Sequence, residues 1–254
     1  MACRNSKKHN CLTAEESKPK LWFGVDSTAP ANTLLQNNLD MFEWVRRNKI
    51  YPAFWGRNIF GEDALTRDEI AFLRGKVCPV APCCGVDGEA ITTVQGIICG
   101  AKVSMRVQEL AIPKGTAVFL EIREEDKVTT DYLQGYAIAM LAEGYVPGFK
   151  ANTDAQYDFD REFSRGMQVD KETFDKCLIW ATAPILPEYE RMTTTHMLHP
   201  DEWKPFAPSG VKRQDIVIWQ YGNECHPICD DDDKLTVFNM DLIEDDDAIM
   251  ECLY

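Results

Sequence analysis

Three acidic residues sit where short apolar runs end. Asp26 closes Leu21-Trp22-Phe23-Gly24-Val25, Glu121 follows Thr116-Ala117-Val118-Phe119-Leu120, and Asp241 follows Val237-Phe238-Asn239-Met240. Carboxylates that converge from different strand ends can act as acid, base or nucleophile in glycosyl transfer. Trp180 and Trp219 lie in similar runs, and an indole face can stack on a sugar ring. Arg57, Arg123 and Gln220 add donors that could hold hydroxyl or acetamido groups. Side chains two apart on a strand share a face, which pairs Glu121 with Arg123. A guanidinium beside a carboxyl favours the ionised form, so Glu121 reads as a stabiliser or nucleophile rather than a proton donor. Taken singly, a strand-end acid caps the next helix and a strand tryptophan fills core. Taken together, they describe a carbohydrate site.

Other clusters point less far. Cys225-His226-Pro227-Ile228-Cys229, with Cys78, Cys83 and Cys84, holds soft ligands but matches no zinc spacing. Asp230-Asp231-Asp232-Asp233 lacks the alternating ligands and glycine of a calcium loop and reads as a solvated acidic turn. A nucleophilic Cys83 or Cys84 served by His196 or His199 has no local signature. No glycine-rich phosphate loop follows any strand. Neither a metal nor a cofactor is expected.

The elements that must carry these residues alternate. Apolar runs at Leu21–Asp26, Tyr51–Trp55, Lys76–Ala81, Thr116–Ile122, Tyr145–Phe149, Cys177–Thr182, Asp215–Tyr221 and Leu235–Met240 read as strands. Helical periodicity covers Thr33–Asn48, Thr66 onward, Gly88–Leu110, Thr129–Glu143, Asp154–Ser164 and Leu242–Cys252. Gly96 and Gly100, four apart on the long helix, predict a close neighbour. Strands separated by helices imply a parallel sheet with right-handed crossovers, and the length fits an α/β fold with a single (β/α)8 barrel of the TIM type. The connection Ala183–Gln214 between strands six and seven is irregular and carries Tyr189, His196, His199, Trp203 and Phe206. In such a barrel the strand C-termini build the site. Here they present Asp26, Trp55 to Arg57, Cys83, Glu121 with Arg123, Lys150, Asn152, Trp180, Gln220 and Asp241.

The chain has 254 residues, 27 basic against 41 acidic, and a net charge of −14. That balance opposes non-specific nucleic-acid binding, which needs cations on phosphates. No apolar run reaches the length of a membrane helix. Residues 1–20 read as a flexible tail and 21–254 as the barrel. The first ten residues have no apolar segment of the kind that follows the basic start of a signal peptide. The expectation is a cytoplasmic chain with mostly reduced thiols, or action at a cell wall reached by a non-classical route. The sequence leaves the oligomeric state open.

Ordered motifs then carry a resemblance. They are Phe23-Gly24-Val25-Asp26; Gly56-Arg57-Asn58-Ile59 with Leu65-Thr66-Arg67-Asp68-Glu69; Ile112-Pro113-Lys114-Gly115-Thr116 running into Phe119-Leu120-Glu121; Gly144-Tyr145-Val146-Pro147-Gly148; and Ile218-Trp219-Gln220-Tyr221. Over Leu21 to Leu242 the chain resembles the lysozymes of glycoside hydrolase family 25, and still more the related bacterial glycoside-hydrolase-like domain of unknown function. The resemblance implies a (β/α)8-type barrel that acts on or binds a peptidoglycan-type glycan. It also implies an acid ending strand one, matched by Asp26, and a late acid, matched by Asp241. The family's Asp-x-Glu pair ending strand four appears here as Glu121-Ile122-Arg123, so the position of the proposed general acid holds an arginine. Two readings follow: a glycosidase with an atypical site, or an inactive barrel that binds glycan or protein.

Overall fold

A computed structural model of the chain describes residues 21–35, 38–47, 50–185, 191–192, 203–209, 211–212, 215–227, 238–244 and 247–254. The strands are β1 (Leu21–Ser27), β2 (Trp55–Asn58), β3 (Val80–Gly85), β4 (Ala117–Ile122), β5 (Val146–Ala151), β6 (Leu178–Thr182), β7 (Arg191–Met192), β8 (Ile216–Pro227) and β9 (Phe238–Glu244). The helices are α1 (Met41–Arg47), α2 (Arg67–Gly75), α3 (Thr93–Glu109), α4 (Thr130–Ala142), α5 (Asp158–Val169), α6 (Lys171–Phe174) and α7 (Asp247–Glu251). Strands β1 to β6 pair in sequence order, β6 pairs with β8, β8 with β9, and β9 with β1, which closes an eight-stranded barrel of the TIM type. The short β7 pairs with the far end of β8 and stands outside the ring.

The all-parallel expectation fails at one strand. β9 runs antiparallel to both β8 and β1. Residues 228–237 separate β8 from β9, and so short a link falls below the dozen or more residues a parallel crossover needs. The strand therefore returns as a hairpin, and Asp241 lies inside β9 instead of after it. Other boundaries also move. β2 and β3 begin some four residues later than the sequence pattern implies, so Cys83 and Cys84 are strand residues. The expected helix from Thr33 forms only from Met41, because Leu34 and Asp40 bridge across a turn before it. The 1–20 tail, Tyr189, His196, His199, Cys229 and Asp230 to Asp233 lie outside the described residues.

Strand parity sorts the barrel. On the inward face, Phe54, Ala81, Ala117, Phe119, Trp180, Ile218 and Ile243 form one apolar cluster with Cys83. Ile249 and Leu253 join that cluster from the C-terminal segment. That segment also pairs with the start of two strands: Tyr254 exchanges backbone hydrogen bonds with Val80, and Cys252 accepts one from Ala117. The outward face packs on the helices in a second, larger cluster. Continuing the inward parity toward the strand C-termini gives Asp26, Glu121, Lys150, Gln220 and Asp241. A dry layer thus supports a polar one, in the layered filling of such barrels.

Tight spots explain two motifs. The helices α3 and α4 touch backbone to backbone: a Cβ at Gly96 would lie 2.1 Å from the Tyr132 carbonyl, and one at Gly135 2.1 Å from the Thr93 carbonyl. The expected close neighbour of Gly96 and Gly100 is therefore α4. Capping is local. Thr92 caps α3 in a reciprocal box with Gln95, and Thr66 caps α2 by accepting from the Glu69 N–H.

Candidate active site

The polar layer opens into a cavity of about 590 Å³ at the strand C-termini. Asp26, Glu121, Lys150, Gln220, Glu224 and Asn239 line it, with Arg123, Glu124 and Glu125 on the loop after β4. Its volume falls within the range of small-ligand sites, and its wall is mostly polar, as a hydroxyl-rich ligand requires.

One ammonium organises the charges. Lys150 Nζ lies 2.9 Å from Asp26 Oδ1 and 3.3 Å from Glu121 Oε1, with only 3% of its side chain exposed. It also stands 4.7 Å above the Trp180 ring. Neighbouring strands make this meeting: β4 and β5 place Glu121 directly beside Lys150. Burial alone would lower the lysine pKa, but the Asp26 and Glu121 carboxylates reverse that and hold it well above the usual range. In return, the Lys150 charge holds the Glu121 carboxyl below its ordinary range against the opposing effect of burial, with Arg123 adding a smaller push.

Asp241 behaves in the opposite way. It is fully buried, and burial together with the Asp26 charge raises its pKa well above the usual aspartate range. Its Oδ1 accepts a 2.9 Å hydrogen bond from Trp180 Nε1. The Asp241 and Asp26 carboxyls are in hydrogen-bonding contact, and Oδ2 of each has no other partner among the described residues. A proton on Asp241, donated to Asp26, satisfies both. Asn239 completes the set by donating from Nδ2 to Asp26 Oδ1 at 2.9 Å. The site therefore holds one carboxyl kept ionised and one kept neutral, a few side chains apart.

The remaining residues picked from sequence divide by parity. Arg57 faces outward from β2. Its guanidinium donates to Glu69 at 2.7 Å and to the carbonyls of Ser27, Thr28 and Asp63, so it ties three segments together at the cavity edge. Trp219 also faces outward, with Nε1 donating to the Ala183 carbonyl and its ring edge-on to Trp203. Trp180 faces inward but is fully buried beneath the cavity. Gln220 lines the cavity, donates to Asn223 Oδ1 at 3.1 Å, and has an Oε1 without a partner among the described residues. Arg123 is exposed just past the end of β4, where its N–H donates to Asp126.

Sequence reasoning missed three residues here. Lys150 was visible as a strand-end cation, but its role depends on cross-strand register. Asn239 and Glu224 follow from the hairpin and its bulges, which no local pattern announces. Among the described residues no group of three potential metal ligands converges, and the described cysteines are free thiols. No described helix is long and apolar enough to cross a membrane.

No protein-family model and no curated protein matches this chain. Solved structures do. An uncharacterised protein from B. stearothermophilus aligns with TM-score 0.73 and 23% identity over 92% of this chain and all of its own. The bacterial lysozyme from Streptomyces coelicolor aligns with TM-score 0.51 and 9% identity, over 91% of this chain and 96% of its own. The modular autolysin LytC from Streptococcus pneumoniae, in complex with a synthetic peptidoglycan ligand, gives TM-score 0.53 and 10% identity, over 87% of this chain and 46% of its own. The barrel described here is thus a fold shared with bacterial lysozymes, and a family 25 lysozyme from Aspergillus fumigatus is similar to it at TM-score 0.50.

Proposed function

We propose that this chain binds a peptidoglycan-type glycan in the cavity and hydrolyses a glycosidic bond there. The observation that carries this reading is the pair of strand-end carboxylates that face one polar cavity, Asp26 from β1 and Glu121 from β4, both held by Lys150. Glu121 faces the cavity as the anionic partner, fit to stabilise positive charge developing at the anomeric carbon or to take a proton from water. Asp26, fixed by Lys150, Asn239 and Asp241, is the rigid acceptor that orients the sugar. The likeness in fold to lysozymes and to an autolysin bound to a peptidoglycan ligand supports the substrate class.

A second reading has its own observation. Lys150 already occupies both Asp26 and Glu121, which suits a site that recognises glycan without turning it over. Incubation of purified peptidoglycan fragments with wild type and with the Asp26→Asn, Glu121→Gln double variant separates the two. Turnover that falls at least about 100-fold in the variant supports hydrolysis. Binding without turnover leaves the recognition reading, and the absence of both removes the substrate class.

A further inference from the structure

The same cavity is lined by a further carboxyl residue, Glu224 on β8. Where β8 passes β9 the register slips twice, between Gln220 and Gly222 and again between Gly222 and Cys225, so β8 carries extra residues against its partner. Such bulges are devices that re-aim a side chain. Glu224 sits in the second one. Its φ is +47°, a left-handed conformation unusual for a residue with a side chain. The conformation is held from the site itself: the Glu224 N–H donates to Asn239 Oδ1 at 2.9 Å, and the same Asn239 donates to Asp26. Glu224 lines the cavity, and Oε2 of its carboxyl is buried with no partner among the described residues. A costly backbone conformation that brings a carboxyl with an unpartnered oxygen to the same cavity as Asp26 and Glu121 lowers stability, and chemistry at the site accounts for it.

We propose that Glu224 is the proton donor to the leaving group, an inference that rests on the hydrolytic reading above. The Glu224 carboxylic acid gives its proton to the glycosidic oxygen as the bond from the anomeric carbon to that oxygen breaks. The electron pair of that bond stays on the leaving oxygen. A water oxygen then bonds to the anomeric carbon, and its proton passes to the Glu121 carboxylate. One water is consumed, and the two carboxyls have exchanged protonation states, which solvent restores. Arg123, at the cavity rim, is then free to contact the glycan without having to serve as an acid.

The test compares Glu224→Gln and Glu224→Gly with wild type on two substrates: peptidoglycan fragments and a dinitrophenyl glycoside of the same sugar, whose leaving group needs no proton. Both variants should fold, and the glycine variant, which suits a positive φ, should melt no lower than wild type. The expected result is a loss of about 100-fold or more on the fragments with turnover of the dinitrophenyl glycoside kept within a few fold. Added formate should restore part of the fragment turnover in Glu224→Gly, a rescue that a purely structural role would not permit. Undiminished fragment turnover in both variants, or equal loss on both substrates without formate rescue, overturns the assignment while leaving the hydrolytic reading intact. A wild type that turns over neither substrate overturns both.

Discussion

Lys150 makes the charge pattern of the site intelligible. A buried ammonium between two carboxylates is tolerable because each partner compensates its desolvation, and removing it leaves uncompensated charge. Lys150→Met should lower stability by about 3 kcal/mol, read from urea unfolding. Glu121 should at the same time titrate at a higher pH in a carboxyl-resolved NMR experiment, because its main stabilising charge is gone.

Asp241 gives a prediction with a different sign. Its proton affinity is raised in the fold, so its contribution to stability is complete below the ordinary aspartate pKa of about 4 and is lost as pH rises toward the raised value. Asparagine at 241 can donate to Asp26 and still accept from Trp180. Asp241→Asn should therefore flatten the stability profile above about pH 4 and gain about 1 kcal/mol at pH 8, measured by urea midpoints across pH. Glu121, whose pKa is lowered, works the other way: its contribution is present at neutral pH and lost as pH falls through its folded value. Asp26 and Glu121 were legible in the sequence because each ends a recognisable apolar run. Trp219 looked equally promising, yet one step of strand parity turns it toward Trp203 and the Ala183 carbonyl, whereas Arg57, of the same parity, still lines the edge of the cavity.

Among the elements, β4 and α4 were readable to within a residue at each end, and α3 at its C-terminal end, although it starts at Thr93 and not Gly88, because long periodic segments with their own caps depend little on distant partners. β2 and β3 were misplaced because they carry Gly56, Pro82, Cys83 and Cys84, which local preference does not assign to strands. The α3–α4 contact makes a sharp prediction. Gly135→Ala should lower stability by about 3 kcal/mol, since its new methyl meets backbone that cannot yield. Gly75→Ala, near the end of α2 with nothing within 4 Å, should be neutral or stabilising by up to about 1 kcal/mol. Thermal melts of the two variants side by side check the contrast.

At the scale of the molecule, the end of the barrel opposite the cavity is finished by the C-terminal segment. Deleting residues 252–254 strips hydrogen-bond partners from the Val80 amide and carbonyl and from the Ala117 amide. Stability should fall by at least about 3 kcal/mol, read from the urea midpoint, because such groups at the edge of a dry core lose their bonds without regaining water. The barrel itself could be inferred from element order and length. The antiparallel course of β9 could not, because it depends on the length of one link rather than on any strand's own pattern.

The reversed β9 has an evolutionary consequence. In a barrel of parallel strands, each strand end at the cavity is tied to the next strand by a crossover, so lengthening a loop there must respect the helix that follows. Here β8 and β9 meet at the lip as an antiparallel pair, with Cys225 beside Phe238, and ten residues separate them. The link between these strands is not bound by the dozen or more residues that a parallel crossover needs. The length of chain at this lip is therefore freer to change than the crossovers around the rest of the barrel.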